Sequence, residues 1–311
     1  QEEYSSQIPA LRILINLGYR YLSNEEVMTQ RQGRTTNVLL EPILKEQLHK
    51  LNEIRVSSSQ TERFSKGNID EAVMRLKEIP FEKGYLSASE YIYELLTLGT
   101  TLNQIIDGNR REYTLQYIDW KNIDNNVFHL AEEFSVATTQ GDGELRPDIV
   151  LFVNGIPLAV IENKRADMDN PIKQAISQHL RNQQEDRIRR LYVYAQLLLS
   201  CSVNDAKYAT NGTREEFWNR WKEQHIVPHR LEIIKQLPID KATAKKIVER
   251  RSGVSGFNKA KELHIGELLT MEFAPTEQDV LLCAVAEPER LLDLTNNFIL
   301  YDKGVKKIAR Y

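Results

Sequence analysis

Residues 146 to 167 read RPDIVLFVNGIPLAVIENKRAD. The apolar run IVLFV reaches Asn154-Gly155, and the run IPLAVI leaves it. Two such runs joined by Asn-Gly read as a β-hairpin packed on a core. Charge sits at both ends of this apolar pair: Asp148 before it, Glu162 and Lys164 directly after it.

Register decides whether these charges can meet. A two-residue Asn-Gly turn pairs positions summing to 309, so Asp148 would face Ile161 and Glu162 would point to the other side. One bulge, or a three-residue loop, shifts the pairing by one residue and brings both acids onto one face. Gly155 suits the left-handed position of such a bulge, and Pro157 cannot donate a ladder bond. A shared acid site therefore requires an irregular hairpin.

The residue types define a chemistry. Phosphodiester hydrolysis needs a divalent cation, an activated water and charge neutralisation at the phosphoryl oxygens. Mg²⁺ takes oxygen ligands, commonly one or two carboxylates plus waters. Asp148 and Glu162 are candidates for that pair. Lys164, two residues beyond Glu162 on a strand, projects from the same face and could orient the water. Acid-x-Lys alone is weak, since Asp119-Trp120-Lys121 and Asp205-Ala206-Lys207 share it. The bland alternative stays open: Asp148 caps a turn, and Glu162 and Lys164 form a solvated strand end.

Composition narrows the classes. The chain has 311 residues, enough for about two domains. Apolar residues make up 41%, enough for a sizeable core, and the net charge of -3 argues against a stand-alone DNA binder. The only cysteines, Cys201 and Cys283, form no C-x-x-C pair and read as buried thiols in a reducing, cytoplasmic compartment. No apolar run approaches the roughly 18 residues of a membrane span, so no membrane contact is expected. The N-terminus carries no signal peptide and no Met, and reads as trimmed.

Helical spacing appears at 8–22, at 37–51 with Asn37 as N-cap, at 69–78, and at 87–99 with a Ser87–Glu90 capping box. Strands are expected at 113–120, at 126–138 with a break, and at 191–203. A helix is expected at 171–184, and a short aromatic one at 214–223. From Pro228 the chain reads as helical, with capped starts at PTEQDV and AEPERLL. This is an α/β chain: a mixed sheet flanked by helices over 1–225 and a helical segment over 226–311.

Beyond the hairpin, RPDIVLFVNGIPLAVIENK resembles the PD-(D/E)xK nuclease core in the R (restriction) subunit of type I restriction-modification enzymes. The segments LGYRYL, IDNNVFHLAEEFSV, AISQHLRNQ, LYVYAQLLLSCSVNDAKYATNG and FWNRWKE resemble its flanks, in order. PERLLDLTNNFILYDKGVKKIARY resembles the segment entering that subunit's helicase motor, so the likeness covers nearly the whole chain. It implies a restriction-endonuclease-like fold and Mg²⁺-dependent cleavage of double-stranded DNA. It also implies partnership with methyltransferase and specificity subunits. Asp148 and Glu162 then correspond to the metal-binding acids, Lys164 to the catalytic lysine, and the Asn163 carbonyl to an added ligand. Gln178 matches the family's Q-x-x-x-Y helix motif.

Two positions depart from the family. Asn163 stands where the middle residue is usually apolar, and Asn182 replaces the tyrosine, with Gln183 and Tyr192 as candidate substitutes. Those departures motivate a rival reading, a non-catalytic docking module that couples motor to methyltransferase. An acid from the first helix, Glu2 or Glu3, is a further candidate ligand. ATP belongs to the motor of the full-length protein, since no G-x-x-x-x-G-K-[ST] occurs in this chain.

Other features are weaker. Arg187, Arg189 and Arg190, with Lys164, Arg165 and Arg181, could follow a phosphate backbone or simply be solvated. Lys241, Lys245, Lys246, Arg250 and Arg251 read as the wet face of a helix. His225 and His229 lack partners for a zinc set, and Phe217, Trp218 and Trp221 read as a packing cluster.

Overall fold

A computed structural model describes residues 2–222, 227–270, 274–302 and 304–309. The centre is a six-stranded mixed sheet: β1 (Arg20–Leu22), β2 (Phe128–Glu132), β3 (Ile149–Val153), β4 (Ile156–Asn163), β5 (Leu197–Ser202) and β6 (Asp205–Ala209), in that spatial order. β1 runs parallel to β2 and β4 parallel to β5, while the other pairs are antiparallel. Every residue of β3, β4 and β5 is buried, as continuous apolar runs at the centre of a covered sheet should be.

The opening hairpin is thus the middle of the sheet, not its edge, and the charged residues sit at the ends of its central strands. Asn154 (φ 52°) and Gly155 (φ 82°) are both left-handed, which makes a two-residue turn of the primed type. Pairing starts in the 309 register at Ile156↔Val153 and Pro157↔Phe152, then slips to 310 at Ala159↔Leu151 and Ile161↔Ile149. The irregularity lies at Leu158, beside the proline that cannot donate, rather than at Gly155. Its consequence is that Asp148 comes opposite Glu162.

Helices cover the sheet: α1 (Ile8–Asn16), α2 (Glu41–Leu51), α3 (Tyr85–Leu98), α4 (Pro171–Asn182), α5 (Lys241–Ser252) and α6 (Glu277–Val285). α4 packs on β4, β5 and β6, and α6 packs on α1, β5 and β6. One cluster of buried apolar residues runs from Ile8 to Leu294, so the C-terminal helices share the core of the sheet. The expected boundary at residues 225–226 falls outside the described residues. Among the described residues, no helix is long and apolar enough to cross a membrane.

Several local expectations need correction. Asn37 does not cap α2; Leu40 stands at that position, and Asn37 bonds instead to the Glu41 carboxylate. α3 begins at Tyr85 after Gly84, so Ser87 lies within the helix. Residues 113–120 extend as a strand only to Leu115, paired with Thr100–Ile106. The strand expected over 191–203 begins at Leu197, after a helical turn Arg189–Tyr192. The aromatic helix is only a three-residue turn, Glu215–Phe217. Thr276 does cap α6 through a capping box, whereas Glu287 caps nothing with its side chain. The C-terminal segment is not wholly helical, because β7 (Ile299–Asp302) and β8 (Val305–Ile308) form a hairpin.

Candidate functional site

The site is assembled where β3 begins and β4 ends. Asp148 immediately precedes β3, and its Oδ2 accepts the backbone N–H of Asn163 at 2.6 Å. Glu162 pairs with Ser200 of β5 and is fully buried. Along β4 successive side chains alternate, so Glu162 and Lys164 share one face while Asn163 points to the other. Lys164 Nζ lies 3.7 Å from Asp148 Oδ2 and 3.4 Å from Glu2 Oε1, and donates to the Asn163 carbonyl at 2.9 Å.

Glu162 is the unusual member. Among the described residues, neither of its carboxylate oxygens meets a hydrogen-bond donor, its polar side-chain neighbour being the Asp148 carboxyl, and the adjacent Ser200 hydroxyl has no hydrogen-bond partner. A buried carboxylate in that state is costly unless it is protonated or holds a cation. Burial, and then Asp148, push the Glu162 carboxyl well above the ordinary carboxylate range. Burial likewise raises Asp148, to about 6, against the pull of Lys164 and the Asn163 N–H. Burial works against the Lys164 charge, but Asp148, Glu162 and Glu2 outweigh it, and the ammonium is held more firmly than usual.

Oxygen donors at this point suit a hard divalent cation. Two carboxylates facing each other, one of them unpartnered and dry, fit such an ion, with the Asn163 carbonyl beside them. Among the described residues, no group of three His, Cys, Asp or Glu side chains converges as a metal cluster. Any ion here would therefore rest on the two acids, backbone oxygen, water and substrate.

Gln178, on α4, lines a depression of about 400 Å³ together with Lys164, Lys173, Ser177 and Arg181. This gives one face of the site a positive floor. Asn182 is buried and donates to the Tyr192 hydroxyl at 3.3 Å, which also meets His179 Nδ1 at 3.1 Å. The phenol that stands in this region is therefore Tyr192. Gln183 is turned away, bonding to the Gly212 N–H and the His179 carbonyl.

Of the two candidate acids of the first helix, Glu2 lies at the site and Glu3 on Arg251, whereas Glu133 was harder to anticipate. Glu2 covers the Lys164 ammonium. Glu133, in a left-handed conformation just past β2, is tied to the site by its N–H on the Asp148 carbonyl at 2.8 Å. Gln7 joins them, donating to Glu133 Oε1 at 3.3 Å and to the Asp148 carbonyl at 3.4 Å. The positive φ of a non-glycine residue is not visible in sequence.

Asn163 has a structural use. Its Nδ2 donates to Ser6 Oγ at 3.1 Å and to Gln278 Oε1 at 2.8 Å, and Gln278 Nε2 donates to the Ser6 carbonyl at 2.9 Å. The amide links β4 to the N-terminal segment and to α6 at once.

The remaining basic residues divide. Arg190 reaches the Thr36 carbonyl and Arg189 lies over the Phe81 ring, both away from the depression holding Arg181. Arg251 is not on a wet face: it is buried in a two-pronged pair with Glu132. Trp218 is buried and stacked on His179, Trp221 is half-buried, and Phe217 is 62% exposed, so only part of that trio packs. His225 lies outside the described residues.

A mixed α/β sheet with an acid entering one central strand and an acid-x-Lys leaving the next is a nuclease-like fold. Residues 1–217 match the family described as type I restriction enzyme R protein N terminus, and the chain belongs to that family. It is similar to the MjaIXP type I restriction enzyme endonuclease subunit of Methanocaldococcus jannaschii, with 26% identity over 311 residues. That match covers 100% of this chain and 26% of the relative. It is also similar to the HindI endonuclease subunit of Haemophilus influenzae, at 25% identity over 97% of this chain and 24% of the relative. The EcoprrI endonuclease subunit of Escherichia coli is 25% identical over 70% of this chain. The chain thus spans about a quarter of the length of the first two relatives.

Proposed function

We propose that this chain forms the nuclease part of a type I restriction enzyme and cuts double-stranded DNA by Mg²⁺-dependent phosphodiester hydrolysis. The observation that carries the reading is Glu162: fully buried, without a hydrogen-bond donor at either oxygen, set against the Asp148 carboxyl and beside Lys164. Asp148 and Glu162 would hold the ion, and the Asn163 carbonyl would add a neutral oxygen. When bound, Mg²⁺ would lower the pKa of a water and offset charge on the phosphoryl oxygens. Lys164 would orient the attacking water and face the developing charge. Gln178, with Lys173 and Arg181, would steady the backbone of the incoming strand. Methyltransferase and specificity subunits are the proposed partners, and ATP would act on the motor elsewhere in the subunit.

Closure of the site favours a second reading. Glu162 is 0% exposed and Asp148 and Lys164 are each 8% exposed, with Glu2 over the ammonium. A docking module that retains the fold without cutting would look like this. Titration calorimetry with Mg²⁺ and Mn²⁺ separates the two, using wild type, Asp148→Ala and Glu162→Ala. Single-site binding that is lost in both variants supports the nuclease. Binding that survives both places the ion elsewhere and sinks the assignment.

A further inference from the structure

On its buried face the β7–β8 hairpin breaks the alternation rule at Lys306. Its inner face carries Ile299, Tyr301, Lys306 and Ile308, and its outer face Leu300, Asp302, Val305 and Lys307. Lys306 is therefore a lysine in a core position, and it is 3% exposed. A polar residue that violates the local pattern marks a specific role more often than a packing accident.

Its surroundings are a built socket. Lys306 Nζ donates to Asn211 Oδ1 at 2.5 Å, Gln196 Oε1 at 2.7 Å and Ser89 Oγ at 3.3 Å. The Tyr301 ring lies 5.3 Å from the ammonium and the Tyr93 ring 6.0 Å away. Three acceptors match the three donors of an ammonium, and two ring faces complement its charge. None of these partners is a carboxylate, and burial holds the Lys306 pKa well below its ordinary value. The socket thus binds its ammonium through neutral dipoles alone.

Two of the socket residues lead directly toward Glu162. Gln196 donates its backbone N–H at 2.7 Å to the carbonyl of Leu158, the bulge residue that sets the register of β4. Asn211 Nδ2 donates to the Tyr192 carbonyl at 2.7 Å. The Tyr192 hydroxyl in turn meets His179, whose Nε2 lies 3.0 Å from the Leu199 carbonyl of β5, and Leu199 pairs with Ile161. We infer that Lys306 is a positioning residue: seated in the Ser89–Gln196–Asn211 socket, it couples the place of the C-terminal hairpin to the register of the strand that carries Glu162. Withdrawal of the hairpin frees Gln196 and Asn211 and loosens the acid pair. The consequence for cleavage rests on the nuclease reading; the mechanical coupling does not.

Hydrogen–deuterium exchange on the whole chain tests this, with Lys306→Met as the variant that keeps apolar bulk and Lys306→Ala as the variant that empties the socket. Leu22→Ala, in β1, serves as the stability control. The expected result is at least tenfold faster exchange in β7–β8, in 192–202 and in β4, with β1 and β2 unchanged. Acceleration confined to the hairpin, or spread over the sheet as in Leu22→Ala, overturns the coupling. Mn²⁺ calorimetry on the same proteins adds a readout that stability alone does not move, with at least tenfold weaker binding expected in both Lys306 variants. Wild type that binds no Mn²⁺ counts against the nuclease reading, and the exchange pattern still decides the coupling.

Discussion

Asp148 Oδ2 accepts the backbone N–H of Asn163 at 2.6 Å, so the first acid of the site is held by the strand that carries the second. The bond is to main chain and survives any substitution at residue 163 except proline, which has no N–H. What Asn163 adds is on the opposite face, where its amide meets Ser6 and Gln278. Family members with an apolar residue there would bury that face with hydrocarbon; this chain uses a polar triangle instead.

That triangle should show non-additivity. Asn163→Val alone removes the donor to Ser6 Oγ and one of the two donors to Gln278 Oε1, the Ser6 hydroxyl being the other, and is expected to cost about 1–3 kcal/mol. Gln278→Leu alone should cost a similar amount. Together, in Asn163→Val/Gln278→Leu, the two apolar side chains can pack on each other. Urea denaturation of the double variant should show recovery of at least about 1 kcal/mol relative to the sum. Strict additivity would mean that α6 does not brace β4 through this contact.

The hairpin was legible because its alternation of runs, turn and charge is local, and local patterns survive in sequence. Asn154-Gly155 gave the turn, and the demand that Asp148 meet Glu162 gave a register slip. Placing the slip at Leu158 needed the neighbouring strand, since the Leu158 carbonyl is taken by Gln196, the residue just before β5. Gln7 and Gln278 were illegible for the same reason, each reaching the site over more than a hundred residues of chain, and Glu133 because its approach to Asp148 depends on a left-handed backbone. Arg251 looked like one charge in a basic run until Glu132 was found across from it.

Gly155 should tolerate no side chain. Its φ is 82°, and a Cβ there would sit 2.6 Å from the Leu40 carbonyl oxygen and 3.0 Å from the Leu44 nitrogen. Both are backbone atoms at the start of α2, where Leu40 N–H also donates to the Gly155 carbonyl. Left-handed strain alone costs about 1–2 kcal/mol, and the clash adds to it. Gly155→Ala is expected to lower the melting temperature by more than about 4 °C. A smaller drop would mean that the turn and α2 can separate cheaply.

Arg251 of α5 pairs bidentately with Glu132 at the end of β2, and the Tyr21 hydroxyl donates to the same carboxylate at 2.6 Å. Glu3 also contacts this guanidinium. Removing one partner of a buried pair strands the other, at about 3–5 kcal/mol. Arg251→Met should lose stability on that scale, and Glu132→Gln/Arg251→Met should regain most of it. Chemical denaturation of wild type and the two variants gives the comparison. If Arg251→Met is neutral, α5 is not fastened to the sheet through this pair.

The acid pair makes the metal-free protein sensitive to pH, and the sign follows from raised pKa values. A carboxyl whose folded pKa is raised favours the fold while protonated, and that favour is lost as pH rises through the folded value. For Asp148 the window runs from the unfolded value near 4 up to about 6, worth on the order of 3 kcal/mol. Glu162, raised further by burial and by Asp148, extends the loss to higher pH. Thermal melts without divalent ions should therefore show stability falling from pH 5 to pH 8. Glu162→Gln replaces a dry, unpartnered carboxylate with a neutral amide, so it should flatten that slope and be more stable than wild type at pH 8. Added Mg²⁺ should reverse the order by stabilising wild type alone. A variant that still follows the wild-type slope, or that gains equally from Mg²⁺, would remove Glu162 from the site.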